Sequence, residues 1–176
     1  MTNENQAKVV GSNLPISTKH TIEISNFIRH MNIQQAKEVL QRVIEKKQAI
    51  PFKRFNRDTG HRKGKIAAGR YPVSASKEIL ALLNSLESNA QDKGLNTNYL
   101  YLTTIIPNKA SKTYHYGRQR GTKMKRTNIE LIAEEREGKS KEKKEKTALQ
   151  QIKEKPKKVE EKKPQEKQKE KKENKI

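Results

Sequence analysis

The sequence predicts an α+β fold in which three helices pack on a small antiparallel sheet. Three segments in the first half space their apolar residues at the 3.6-residue period of a helix. Two later segments are rich in β-forming residues with apolar alternation, and a strongly basic stretch lies between them. This order predicts a long basic β-hairpin that extends from the sheet, followed by a Lys/Glu-rich tail.

Each predicted helix has an apolar stripe that we assign to the core. The first helix begins near Ser17 or Thr18, and the second begins after Asn32, whose side chain is a suitable N-terminal cap. The third has Ser74 near its start and Gly94 just after its end, as a C-terminal glycine cap requires. The stripes are Ile24, Phe27, Ile28 and Met31; Ile33, Ala36, Val39, Leu40, Val43 and Ile44; and Ala75, Ile79, Leu82, Leu83, Leu86 and Ala90.

The predicted sheet is built around the two strands of the hairpin, residues 99–106 and 127–133. Residues 9–16 supply a further strand, which Gly11 and Pro15 restrict to an edge of the sheet. Helices that precede the strands in this way are expected to cover one face of the sheet.

The segment between the two hairpin strands carries the strongest functional signal in the chain. Its basic residues are Lys109, Lys112, Arg118, Arg120, Lys123, Lys125 and Arg126, and it contains no acidic residue. Like charges repel one another and bury little apolar surface, so we expect this segment to be ordered by polyanionic phosphate. Tyr114, His115 and Tyr116 add flat rings that can stack on bases. Irregular basic arms suit folded RNA better than the groove of a regular duplex, so RNA is the predicted ligand.

A second basic segment, PFKRFNRDTGHRKGKIAAGRYP, separates the second and third predicted helices. Its cations are Lys53, Arg54, Arg57, Arg62, Lys63, Lys65 and Arg70, and its single acidic residue is Asp58. We predict that these cations contact phosphates. We also predict that Gly60, Gly64 and Gly69 keep the backbone thin enough for its amides to approach phosphates. Phe52 and Tyr71 are expected to pack the base of the segment onto the domain.

Composition favours a nucleic-acid-binding protein and argues against an enzyme. The formal net charge of +20 and the pI of about 10.1 predict a polyanionic partner. Cysteine is absent and the four histidines lack metal-ligand spacing, so we predict no metal and no cofactor. Glu23, Glu38, Glu45 and Glu78 are expected to be solvated on polar helix faces. No signal peptide and no membrane-length apolar run is evident, and we expect no membrane segment. The absence of cysteine fits a cytoplasmic protein.

We divide the chain into an RNA-binding domain, residues 1–137, and a low-complexity charged tail, residues 138–176. The tail consists mainly of Lys, Glu, Gln and Pro, with few apolar residues. Because it has little apolar surface to bury, we expect it to be disordered or transiently helical. A solvated single helix is the alternative, since Lys and Glu are good helix formers.

Five blocks of the sequence, taken in order, resemble the universal large-subunit ribosomal protein family numbered twenty-two in bacteria and seventeen in eukaryotes. The chain is similar to the archaeal branch, over roughly residues 14–135. The blocks are LPISTKHTIEISNFIRHM, IPFKRFNRDTGHRKG, AAGRYP, ESNAQDKGLN and GR…IELIAEE. Several blocks in one order are more specific than any single motif.

The resemblance implies a cytoplasmic protein docked on large-subunit ribosomal RNA near the outer end of the peptide exit tunnel. It implies neighbouring ribosomal proteins as partners and a role in subunit assembly. In the family, the tip of a long β-hairpin forms part of the tunnel wall, near the nascent peptide, and Gly117 and Arg118 match the Gly-Arg pair at that tip. The Pro-Arg-Ala segment that usually precedes this pair is absent, so the hairpin is expected to be shorter than in many relatives.

Two other functional classes were weighed against a ribosomal protein. A free architectural DNA- or RNA-binding protein would bind many generic duplexes, whereas a ribosomal protein would prefer one RNA domain. An enzyme acting on RNA would need converging acid–base or metal-binding side chains, and the sequence offers no candidates for them.

Overall fold

Three helices pack against a three-stranded antiparallel sheet in the computed structural model, which describes residues 5–136. This arrangement confirms the predicted α+β class; the predicted tail, residues 138–176, lies outside the described residues. In chain order the elements are β1 (Gln6–Leu14), α1 (Thr18–Ile28), α2 (Ile33–Ile44), β2 (Ile50–Pro51), β3 (Gly69–Arg70), α3 (Val73–Asp92), β4 (Leu100–Lys109) and β5 (Thr127–Glu135).

The helix ends agree with both predicted capping residues, Asn32 and Gly94. The Asn32 side chain accepts a hydrogen bond from the Gln34 backbone N–H at 2.9 Å, so it caps α2 as expected. Gly94 follows α3 with φ of 72°, the left-handed conformation that a C-terminal glycine cap requires. The helix α3 begins directly after Pro72, so Ser74 lies inside the helix and does not cap it.

The sheet has the strand order β1-β5-β4, so the second hairpin strand is central. The pairing of β1 with β5 confirms the predicted edge strand, which begins at Gln6, earlier than expected, and ends at Leu14. Side chains on β5 alternate between the two faces, and Ile129, Leu131 and Ala133 point into the core. The helices therefore cover one face of the sheet, as the order of elements predicted.

The core consists of the predicted helix stripes packed on the inner face of the sheet. The largest fully buried side chains are Ile24, Ile28, Ile33, Leu40, Ile50, Ile79, Leu83, Leu86, Leu100, Leu102, Ile105 and Ile129. Burying each such aliphatic side chain contributes about 1.5–3 kcal/mol. A small apolar core of this kind is enough to hold the domain while leaving its basic segments outside it.

Part of each sheet edge is covered by hydrogen-bonding groups from elsewhere in the domain. Beside β4, the His30 N–H donates to the Leu102 carbonyl at 2.8 Å, and the Leu102 N–H donates to the Met31 carbonyl at 3.0 Å. Beside β1, the side chains of Asn89 and Lys93 donate to strand carbonyls at 3.1 and 2.7 Å. Unpaired strand edges are templates for association, so these bonds limit the edge that is available.

We expect Gly11→Val to lower the free energy of unfolding by about 1–3 kcal/mol, because a side chain at this position overpacks the core. A Cβ atom on Gly11 would lie 2.8 Å from Cδ1 of Leu82 and 3.1 Å from Cδ1 of Leu14. Urea unfolding measures the change. Gly121→Val is the control, because a Cβ there meets no atom within 4 Å. Equal unfolding midpoints for the two variants would contradict the packing argument.

Candidate nucleic-acid interface

The two hairpin strands continue beyond the sheet as an extension that we call the hairpin arm, residues 109–126. The Ala110 N–H donates to the Arg126 carbonyl at 3.2 Å, and the His115 N–H donates to the Thr122 carbonyl at 3.0 Å. The chain reverses in a single 3-10 turn at Gly117–Gln119, where the glycine has φ of 68°. This confirms the predicted long β-hairpin, with the Gly-Arg pair at its tip.

The hairpin arm presents its side chains to solvent. Every residue from 111 to 123 is exposed. Tyr116 is 87% exposed, and Tyr114 is 58% exposed with the Lys123 ammonium 5.0 Å from its ring centroid. The arm thus offers a free tyrosine ring and exposed cations, which is the combination that stacking on bases and binding to phosphates requires.

Arg126 differs from the other six basic residues of the hairpin arm, because it is partly buried against the domain. Its guanidinium donates to the Asn13 carbonyl at 3.4 Å and lies 3.7 Å from the Met124 sulfur. Arg126 therefore braces the base of the arm on β1. Lys109, Lys112, Arg118, Arg120, Lys123 and Lys125 are exposed.

The second basic segment, residues 53–70, folds back on itself, and we call it the basic loop. At its base, β3 pairs with β2, the short strand that precedes the loop. Inside it, the Arg62 Nε donates to the Gly69 carbonyl at 3.3 Å, and the Arg70 Nε donates to the Thr59 hydroxyl at 3.1 Å. Two of the seven predicted phosphate ligands thus hold the shape of the loop. The remaining five, Lys53, Arg54, Arg57, Lys63 and Lys65, are exposed.

The three glycines of the basic loop differ in role, and the expectation for Gly69 is wrong. Gly69 is buried, and a Cβ atom there would lie 3.0 Å from the Ile66 side chain, so this glycine permits close packing. Gly64 is exposed with φ of 119°, a conformation that other residues rarely adopt. Gly60 is exposed with no atom within 4 Å of a Cβ position. The latter two leave the backbone accessible, as predicted.

A buried carboxylate on α1 anchors the start of the basic loop. Glu23 is only 2% exposed, and its side chain accepts hydrogen bonds from the backbone N–H groups of Lys53, Arg54 and Phe55 at 3.1, 2.8 and 2.7 Å. Consecutive N–H groups that converge in this way form a concave anion-binding nest. The expectation that Glu23 is solvated is therefore wrong, because an internal anion fills this nest. Of the other helix carboxylates, Glu38 is exposed.

Aromatic packing joins the basic loop to the N-terminal end of α1. Phe52 is 4% exposed and belongs to the core, which confirms its predicted packing role. The His20 ring packs edge-on against Phe52 with centroids 5.6 Å apart. The Arg70 guanidinium lies 5.8 Å from the centroid of the same Phe52 ring. The start of α1 is therefore in direct contact with the loop.

His20 also marks where the basic loop and the hairpin arm come together. Burial lowers the pKa of His20 below its ordinary value of 6.5, and the nearby charges of Arg70 and Lys125 lower this pKa further. Arg70 belongs to the basic loop and Lys125 to the arm, so His20 lies between the two. Sequence reasoning missed His20 and its neighbour Lys19, because only the fold brings them to the basic segments.

We expect the free protein to lose stability as the pH falls below 6.5, and His20→Gln to reduce this loss. Because the folded-state pKa of His20 is below 6.5, the unfolded chain binds the proton more readily. The free energy of unfolding therefore rises with pH between the folded-state and unfolded-state pKa values of His20. It is fully restored above the unfolded-state pKa. Urea unfolding at several pH values tests this, with His115→Gln, a change in the exposed arm, as the control. An unchanged pH dependence in His20→Gln would refute it.

Comparison with known proteins identifies the family. The chain matches the family described as ribosomal protein L22p/L17e over residues 9–134. The chain belongs to this family. The match includes α1, the basic loop and the hairpin arm, and it confirms the resemblance seen in the sequence. The L22p/L17e proteins are ribosomal proteins and not enzymes, and they work in the cytoplasm.

Archaeal L22p/L17e proteins are among the relatives. The chain is 44% identical to the large ribosomal subunit protein uL22 of Nanoarchaeum equitans over 141 residues, which cover 75% of this chain and 80% of the relative. It is 39% identical to uL22 of Methanococcoides burtonii, covering 75% and 91% of the two chains. For uL22 of Archaeoglobus fulgidus the identity is 40%, covering 74% and 88%. These similarities confirm the archaeal type.

Two further observations concern residues 5–136 as a whole. No helix in this range is long and apolar enough to cross a membrane. Within the same range, no three His, Asp or Glu side chains are grouped so that they could hold a metal ion.

Proposed function

We propose that the chain is a structural constituent of the large ribosomal subunit that binds large-subunit ribosomal RNA through the basic loop and the hairpin arm. The observation that carries the proposal is the placement of both segments outside the core, with Arg70 of the basic loop and Lys125 of the arm both close to His20 on α1. The relatives that carry the name large ribosomal subunit protein support it. Neighbouring ribosomal proteins are the proposed protein partners.

The proposed mechanism is recognition without catalysis. The core serves as a rigid platform, and exposed lysines and arginines neutralise phosphates and release condensed counterions. Glu23 already orders the start of the basic loop before RNA binds. The loop therefore loses less conformational freedom on binding RNA than a mobile loop would. Tyr116, and Tyr114 once Lys123 moves aside, can stack on bases and add local selectivity.

We further propose that the hairpin tip, Gly117–Gln119, lines the nascent-peptide exit tunnel and that the protein supports subunit assembly. An extended segment such as residues 110–117 spans about 25 Å, long enough to carry the tip well away from the core. Exposed arginines at the tip are suited to RNA on one side and to a passing peptide on the other. A photo-crosslinker at Gln119 is expected to capture a stalled nascent chain, and one at exposed Lys77 of α3 is the control.

Sedimentation decides between the proposal and a free architectural DNA- or RNA-binding protein. The tagged chain is expected to co-migrate with the large subunit on a sucrose gradient and to stay there after a high-salt wash. Association that the wash removes, together with equal affinity for unrelated duplexes, would favour the architectural alternative. Filter binding to large-subunit RNA fragments and to generic duplexes supplies the second measurement.

We expect the charged tail, proposed as residues 138–176, to be dispensable for folding and for subunit docking. The family match ends at residue 134, and the tail has few apolar residues that could contribute to a core. A chain truncated after Glu137 should melt cooperatively, near the temperature of the full chain, and should enter large subunits. Circular dichroism and gradient sedimentation test the two parts. A truncated chain without a cooperative melt would show that the tail belongs to the fold.

A further inference from the structure

We propose that the cavity between the start of α1 and the basic loop binds one phosphate group of the RNA backbone. This inference rests on the proposed function, and it joins Lys19 and His20, which the sequence did not single out, with three arginines of the basic loop in one site. We call this cavity the phosphate pocket. Its cationic lining consists of Lys19, Arg54, Arg57 and Arg70, with His20 in its wall.

The size and lining of the phosphate pocket suit a hydrated anion. Its volume is about 430 Å³, and its lining contains no carboxylate. Liquid water occupies about 30 Å³ per molecule, so a phosphate and several waters fit inside. Four cations around one cavity raise the local positive potential, and this potential is relieved when an anion enters.

Three cations of the pocket are positioned by an aromatic ring or a hydroxyl group, and not by ion pairs with carboxylates. The Lys19 ammonium and the Arg54 guanidinium lie 5.7 and 5.4 Å from the centroid of the Phe55 ring. Arg70 is held by the Thr59 hydroxyl. Among residues 5–136, the ion pairs are Lys8–Glu130, Lys37–Glu87 and Lys47–Glu45, so none of the pocket cations is neutralised there. Their charge remains available for a ligand.

Phosphate is favoured over a nucleobase because the ring surfaces of the pocket are already covered. Phe52 is buried in the core and contacts His20 and Arg70, and Phe55 contacts two cations. Arginine is the residue best suited to paired hydrogen bonds with phosphate oxygens, and three arginines line this cavity. A phosphodiester is therefore the ligand whose chemistry matches the lining.

Binding at this pocket is coupled to the protonation of His20. Arg70 and Lys125 are the charged groups that lower the pKa of His20 beyond the effect of burial, and Lys19, Arg54 and Arg57 line the same cavity. The Glu23 carboxylate, one turn further along α1, is engaged by three backbone N–H groups of the loop. With the pocket empty, burial and the positive charges therefore favour the neutral imidazole. An anion in the pocket offsets these charges and favours the imidazolium, so phosphate binding raises the pKa of His20.

Nuclear magnetic resonance of the histidine rings tests the pocket in the full chain. Titrations are recorded for the chain alone, with inorganic phosphate, and with a large-subunit RNA fragment. With the RNA fragment, the pKa of His20 is expected to rise, because a bound phosphate offsets the positive charges beside the imidazole. His30, which lies outside both basic segments, serves as the internal control. An equal shift at His30 would show non-specific screening and overturn the proposal.

A matched pair of variants separates the pocket from the general charge of the protein. Lys19→Gln/Arg57→Gln removes two exposed pocket cations, whereas Arg42→Gln/Lys77→Gln removes two exposed cations on other helices. The pocket variant is expected to lose the His20 shift and to bind the RNA fragment roughly tenfold more weakly than the control variant does. Thermal melts confirm that both variants fold.

The outcomes distinguish failure of the pocket from failure of the proposed function. An RNA fragment that binds the chain without moving the His20 titration overturns the pocket and leaves ribosomal RNA binding intact. A His20 shift with inorganic phosphate but not with bound RNA overturns RNA as the source of the phosphate. Loss of co-sedimentation with the large subunit, by contrast, argues against the proposed function itself.

Discussion

Glu23→Ala is expected to lower the free energy of unfolding by roughly 3 kcal/mol, because hydrogen bonds to a charged group are stronger than average and three depend on this carboxylate. The variant leaves the backbone N–H groups of Lys53, Arg54 and Phe55 without their acceptor. The start of the basic loop should then lose its fixed conformation. Urea unfolding gives the energy, and amide hydrogen exchange at residues 53–55 reports the local change.

Glu38→Ala is the matched control for Glu23→Ala, because it removes an exposed carboxylate from a neighbouring helix. Its effect should stay within about 0.5 kcal/mol, as is usual for exposed positions. RNA binding provides a second comparison: the Glu23 variant should bind more weakly, since ordering of the loop then opposes binding. If the two variants unfold alike and protect residues 53–55 alike, Glu23 does not anchor the loop.

Replacing three exposed cations in either basic segment is expected to reduce the salt dependence of RNA binding by roughly two to three units of log–log slope. Each phosphate contact contributes about 0.7–0.9 to this slope through counterion release. The loop variant carries glutamine at Lys53, Lys63 and Lys65. The arm variant carries glutamine at Lys112, Arg118 and Arg120. All six side chains are exposed, so the domain itself should remain stable.

A third variant with the same loss of charge shows whether the position of the removed cations affects the salt dependence of RNA binding. Glutamine at Arg42, Lys46 and Lys77 removes three exposed cations that lie outside both basic segments. Filter binding to a large-subunit RNA fragment across a salt series measures all three slopes. The control should keep the wild-type slope. Three equal slopes would mean that net charge, and not the loop or the arm, determines binding.

Periodicity predicted most of the secondary structure, because local pattern and tertiary burial agree in this chain. The apolar stripes of α1, α2 and α3 are largely the side chains that pack in the core. The hairpin strands were predicted within a few residues, and residues 9–16 were correctly assigned to an edge strand. The capping roles of Asn32 and Gly94 were also correct, since such caps depend on adjacent backbone groups only.

The site could be predicted only as a list of cations, because residue type does not reveal tertiary contacts. Arg57 and Arg62 look alike in sequence, yet Arg57 is free at the surface and Arg62 bonds to the Gly69 carbonyl. Glu23 has the spacing of a solvated helix residue, but a loop thirty residues further on folds over it. Such distinctions arise from long-range folding, which a periodic pattern does not encode.

The hydrogen bonds at the sheet edges affect how copies of the free protein meet one another. The net charge of +20 makes these copies repel one another. Salt at about 0.1 M screens this repulsion beyond about 10 Å. At shorter range, the bonds to β4 from His30 and to β1 from Asn89 and Lys93 leave fewer strand groups free to pair with another copy. The sheet edges therefore offer little opportunity for copies to associate by strand pairing.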